Sequence, residues 1–137
     1  MEKPKMEYTN SVKFTYIILI VILSFQLFVI AIFGTFKESY HVDELYTYGL
    51  SNSYFKPFLV YEEESLKWHS PEFYQDYLTV QETERFAYES VYYNQTNDVH
   101  PPLYYYGIHT ISSMFPNAFS KWIGISFNMV FFSGTII

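Results

Sequence analysis

Residues Phe14–Gly34 read FTYIILIVILSFQLFVIAIFG, 21 consecutive residues without a charge. At about 1.5 Å per residue such a run, once helical, crosses a hydrocarbon core of roughly 30 Å. It therefore predicts a transmembrane helix and sets the class of the whole chain. A cleaved signal peptide is the competing reading. The apolar run is longer than such peptides carry, and no small-x-small cleavage pattern follows, since Ile32 and Phe33 occupy the critical places. Gln26, inside the run, is tolerable in a helix that packs on others.

The charges on either side predict an orientation. Lys3, Lys5 and Lys13 precede the run, whereas residues 37–100 hold 12 of the 14 acidic residues against only Lys37, Lys56, Lys67 and Arg85. Basic flanks remain cytoplasmic, so residues 1–13 are expected inside and the acidic middle outside. A net charge of −6, with no basic stripe, argues against nucleic acid as a partner. The absence of cysteine removes disulfides, thiolate metal sites and a catalytic thiol. With 137 residues, half of them hydrophobic and 29 of them Tyr or Phe, the chain holds at most one ordinary domain and is too apolar for a typical soluble one.

Residues 35–100 contain no further run long enough to span. A structureless loop of that length would be unusual, so short helices are expected within it. His41 to Ser51 has Val42, Leu45, Tyr46 and Gly49 at helical spacing, with Asp43 and Glu44 at its dipole-favoured amino end. Ser70-Pro71-Glu72 is a helix start leading into Phe73, Tyr74, Tyr77 and Leu78. Thr83 is a candidate cap for a third helix, with Phe86, Ser90 and Tyr93, or Ala87 and Val91, sharing faces. These aromatic, one-sided helices fit either the membrane interface or a small ectodomain with a Tyr-rich core.

Asn97-Asp98-Val99-His100-Pro101-Pro102-Leu103-Tyr104-Tyr105-Tyr106 then closes the loop. Consecutive prolines hold the preceding residues extended, and Pro102 has the preset φ of a first helical turn. A rigid polar elbow thus opens an apolar helix that stops at Pro116. Residues 101–116 are short for a full crossing and read as a re-entrant or short membrane helix, while residues 121–137 read as the start of another span left incomplete.

Asp43 and Glu44 are candidate catalytic carboxylates at a membrane edge, where a dry setting would suit a general base; the plainer reading is a capping acid beside a solvated one. Helical neighbours point about 100° apart, so one ligand cannot use both equally. Asp98 and His100 are candidate site residues or simply turn formers. His41, Asp43, Glu44, Asp98 and His100 have the donor types of a divalent-cation site but no diagnostic spacing, which leaves metal and cofactor open. Asn94-Gln95-Thr96 fits the N-glycosylation pattern. His69 and His109 receive no role.

An amino-terminal membrane helix, Asp43-Glu44 opening a long outer loop, and Asp98-x-His100-Pro101-Pro102-Leu103-Tyr104-Tyr105 closing it together resemble the C-type polytopic membrane glycosyltransferases, in particular the protein O-mannosyltransferase and aminoarabinose-transferase-like group. Phe119-Ser120-Lys121-Trp122 sits where these proteins resume with their next membrane helix. The resemblance implies an all-α, multi-pass protein of the cell membrane whose amino-terminal portion these residues would form, with the remaining helices supplied by a longer chain. It further implies transfer of a sugar from a polyprenyl-phosphate donor to an acceptor hydroxyl at the outer face. Asp43 would be the base, Glu44 would organise the site or a cation, and His41, Asp98, His100 and Tyr104 would contact substrate. Cationic groups to hold a lipid phosphate are scarce in the outer loop, and the family's later elements lie outside these residues, so the fragment alone is not expected to be catalytically competent. The alternative is a small non-catalytic membrane protein whose Tyr-rich outer segment binds a partner.

Overall fold

A computed structural model describes residues 4–59 and 67–135, with side chains from Val12 onward. Among these residues every regular element is helical. In chain order the helices are α1 (Pro4–Phe36), α2 (Val42–Asn52), α3 (Pro71–Leu78), α4 (Tyr88–Gln95), α5 (Leu103–Met114) and α6 (Lys121–Gly134). The chain divides into two compact units: α1 with the part of α6 from Asn128, and the segment Glu38–Phe127.

α1 starts ten residues before the apolar run, at Pro4, and is 33 residues long, because no breaker separates the polar amino-terminal residues from the apolar ones. Within it, Val12–Phe36 is the one helix among the described residues long and apolar enough to cross a membrane. Phe14, Ile17, Ile20, Val21, Phe25, Phe28 and Phe33 are exposed, while Gly34 is buried and the Gln26 Oε1 is covered. A helix apolar over so much exposed surface is suited to lipid as its solvent.

The second unit is organised by α2, which packs against α3, α4 and α5. Tyr48, Tyr77, Leu78, Ile108 and Ile123 form one buried cluster, and Leu50, Val91 and Tyr105 another. Gly49 is where α3 comes closest: a Cβ built there would lie 1.8 Å from Cε1 of Tyr77. The Tyr48 hydroxyl donates to the Ser120 carbonyl at 2.9 Å and accepts from the Gly124 N–H at 2.9 Å. It thereby serves one of the N–H groups that the first turn of α6 cannot satisfy for itself.

The expected helices at His41 and Ser70 form, the first shifted by one residue so that His41 is its N-cap. Thr83 caps nothing. Glu82–Glu84 makes a single 3-10 turn, Phe86 takes a left-handed φ of 59°, and α4 follows the N-cap Ala87. The cause is tertiary: Ser113 on α5 takes the Phe86 N–H on its Oγ at 3.0 Å and the Arg85 Nε on its carbonyl at 2.8 Å. Of the two faces expected here, that of Ala87 and Val91 is the buried one, joined by Ser90, Asn94 and Gln95, while Phe86, Tyr92 and Tyr93 are exposed. α5 begins one residue later than the proline rule places it, with Pro102 as N-cap. It is 12 residues long, about 18 Å, shorter than a hydrocarbon core of roughly 30 Å. It buries Tyr105, Ile108, His109, Ser112 and Ser113 within the unit.

Candidate functional site

The start of α2 decides what its two acids can do. His41 is extended, and its Nδ1 accepts from the Asp43 N–H at 3.3 Å, while the Glu44 carboxylate accepts from the His41 backbone N–H at 3.3 Å. This reciprocal arrangement is a capping box and serves two of the unpaired donors at the helix start. The same Nδ1 lies 3.3 Å from the Asp43 carboxylate. That pairing needs a proton on the nitrogen and so excludes the cap. Glu44 is therefore engaged with the backbone, and Asp43 is the acid left over.

Asp43 points elsewhere. It lines a cavity of about 610 Å³ together with Tyr46, Thr47, Leu50, Pro57, Phe58, Asn97, Asp98, His100 and Tyr105. The beginning of the loop and its closing elbow, more than fifty residues apart, thus meet around one space. The reason is that α2 and α5 pack side by side, so the first turn of one stands opposite the segment that leads into the other. Neither His41 nor Glu44 is among the lining residues, and neither is Tyr104, whose ring meets that of Phe127 edge to face at 5.2 Å between centroids. Its neighbour Tyr105 takes the place instead, because α5 turns that position inward. The dry setting expected for Asp43 is also absent, its side chain being 84% exposed.

The opposite wall is more tightly built. Oδ2 of Asp98 lies 3.0 Å from His100 Nδ1 and accepts from the Tyr105 hydroxyl at 3.1 Å. Burial opposes the charge on Asp98, but the hydrogen bonds from His100, the Val99 N–H and Tyr105 outweigh it and hold the carboxyl below its ordinary range. The Tyr105 hydroxyl is pushed up to about 12, first by burial and then by the Asp98 charge.

Among the described residues no three His, Asp or Glu side chains converge as metal ligands, and no Lys or Arg lines the cavity. No family model, no curated protein and no solved structure matches the chain. Function must therefore be argued from the site.

Asn94, the acceptor of the glycosylation pattern, is fully buried, and its Nδ2 donates to the Leu50 carbonyl and to both oxygens of Ser53. The atom that a glycan would need holds the end of α2, so the folded chain has no acceptor there. His109, to which spacing assigned nothing, is 2% exposed with no hydrogen-bond partner on either ring nitrogen. Burial lowers its pKa; the Ser51 carbonyl pulls the other way without reaching hydrogen-bond geometry, and so does the charge of Glu89.

Proposed function

We propose that the chain is the amino-terminal part of a polytopic membrane glycosyltransferase, held in the cell membrane by α1 with its amino terminus in the cytoplasm. In this reading the cavity at the outer face takes the acceptor hydroxyl and the sugar of a polyprenyl-phosphate donor. The hydroxyl oxygen attacks the anomeric carbon, the bond to the lipid phosphate breaks, and the hydroxyl proton passes to Asp43. A phosphate leaves readily, so positioning and a proton acceptor carry much of the work. The supporting observation is that Asp43 lines the same cavity as Asp98 and His100. Helices beyond these residues would supply the cationic groups for the phosphate. In the full-length protein in membranes, Asp43→Asn is expected to abolish transfer from a polyprenyl-phosphate sugar while expression is unchanged. Substantial residual transfer overturns the reading.

Beyond the cavity, the observations weigh for a second reading, a non-catalytic membrane protein whose aromatic outer segment binds a partner. No cation lines the cavity, no metal cluster forms among the described residues, and Tyr54, Phe55, Tyr92 and Tyr93 are exposed. Phe55 is held in a left-handed conformation, φ 49°, by a hydrogen bond from its N–H to the buried Ser90 Oγ at 2.8 Å, and it meets the rings of Tyr54 and Tyr93. A bulky residue kept at positive φ costs about 1–3 kcal/mol and tends to be found at functional surfaces. Under this reading Asp43→Asn leaves partner association intact, and Phe55→Ser weakens it.

A further inference from the structure

The cavity that Asp43 lines is also lined by a second hydrogen-bond acceptor, His100, backed by Asp98. Asp98 and His100 are separated by one residue, and the prolines that follow confine the backbone there. Both Tyr105 and His100 converge on the same carboxylate oxygen, Oδ2 of Asp98, at 3.1 and 3.0 Å. An ionised carboxylate only accepts hydrogen bonds, and the lowered pKa of Asp98 keeps it ionised. Both protons therefore belong to the partners. Tyr105 donates its hydroxyl hydrogen, and His100 carries hydrogen on Nδ1.

We infer that Asp98, itself braced by Tyr105, locks His100 in the Nδ1–H tautomer and so leaves Nε2 as a bare acceptor for a hydroxyl-bearing ligand in the cavity. Neutral imidazole has one donor and one acceptor nitrogen, so settling Nδ1 settles Nε2. A carboxylate behind the ring also stabilises the imidazolium formed once Nε2 takes a proton, as in other carboxylate-backed histidines. Asp43 has no comparable support: its side chain is 84% exposed, and its near neighbour His41 faces it across 3.3 Å through a nitrogen already used as a helix cap. Where the glycosyltransferase reading holds, the attacking hydroxyl gives its proton to Asp43, and His100 Nε2 accepts from a second hydroxyl of the ligand and orients it. Tyr105 and Asp98 are positioning residues, since they act through His100. The role of His100 in transfer rests on the glycosyltransferase reading; the tautomer does not.

The test is a long-range nitrogen–proton correlation spectrum of the full chain with isotope-labelled histidine, in detergent micelles, at a pH where imidazole is neutral. His100→Gln assigns the signal by its loss. The expected result is a protonated-type Nδ1 and a bare-type Nε2 for His100, moving to a mixture of tautomers in Asp98→Asn. The opposite tautomer in the unaltered protein, or an unchanged pattern in Asp98→Asn, overturns the inference. In Tyr105→Phe the Asp98 carboxyl signal is expected to titrate at higher pH, and an unshifted titration removes Tyr105 from the arrangement. Where the full-length protein transfers sugar, His100→Gln is expected to lower kcat by about 100-fold or more with a smaller change in KM. A loss of only a few-fold overturns the role of His100 in transfer. Absence of any transfer by the unaltered protein counts against the glycosyltransferase reading alone, and the spectra still decide the tautomer.

Discussion

Asp43 and Glu44 are chemically alike and adjacent, yet the start of α2 gives them different work. Glu44 closes the capping box onto the His41 N–H, a task that glutamine performs as well. Glu44→Gln is expected to leave stability within a few tenths of a kcal/mol, and Glu44→Ala to lower it by about 0.5–2 kcal/mol, as for loss of other caps; urea titrations of the two variants check this. Two other residues make stability pH-dependent. The folded protein holds Asp98 below its ordinary value of 3.8 and His109 below its ordinary 6.5. In each case the unfolded chain binds the proton more readily, so stability falls as pH falls. The His109 contribution is complete above about pH 6.5 and drains below it, while that of Asp98 drains only below about pH 4. His109→Gln is expected to flatten the stability profile just below about pH 6.5 without touching the lower step, which Asp98→Asn removes.

Elements in this protein are joined by close approaches rather than by large side chains alone. α2 presents Gly49 to α3, and the ring of Tyr77 fills the space that a side chain would need. Gly49→Ala therefore forces the two helices apart, at an expected cost of about 1–3 kcal/mol despite alanine's better helix propensity. Gly134 has nothing within 4 Å of a built Cβ, so Gly134→Ala, measured alongside, is expected not to destabilise. The end of α2 is tied down by polar groups: Asn94 from α4 donates to Leu50 and Ser53, and Asn52 donates to the Leu78 carbonyl at 2.8 Å. Asn94→Ala takes this donor from the buried Leu50 carbonyl, while the Ser53 carbonyl keeps the Ser90 hydroxyl at 3.0 Å, and is expected to cost about 1–3 kcal/mol. Expressed in a glycosylating host, the folded chain is expected to run as a single unglycosylated band. A glycan on Asn94 would show that α4 forms only after modification or not at all.

At the scale of the molecule, a long apolar helix with much of its surface exposed is followed along the chain by a larger helical unit with its own core. Within Val12–Phe36 an 18-residue window reaches a mean hydropathy of 2.9, which predicts fractionation with membranes and release by detergent but not by high salt or alkaline carbonate. Release by salt alone would mean that a protein surface, not lipid, covers α1. The same reasoning makes deletion of residues 1–36 a direct way to ask whether Glu38–Phe127 keeps its helical signal without the apolar helix, as its separate buried clusters lead one to expect.

The reading of Phe14–Gly34 and of Ser70-Pro71 needed no structure, because hydropathy over a long window and a proline at a helix start act through the local chain. The closing elbow was legible for the same reason: consecutive prolines constrain their own neighbourhood. What was not legible depends on which surfaces meet. A capping acid beside a solvated one was legible at Asp43-Glu44, but local spacing could not say that Asp43 would be the one to face a cavity, or that Tyr105 rather than Tyr104 would reach Asp98, since adjacent positions on a helix differ only in the direction they point. The burial of Asn94 and Ser90 in place of the aromatic residues of α4 is likewise a product of packing, because the carbonyls at the end of α2 need donors and tyrosine rings do not supply them there. The sequence by itself determined the helical class, the long apolar helix and the rigid elbow; the tertiary structure decided which of its acids and tyrosines share one space, because that choice is made by helix–helix contact and not by the chain alone.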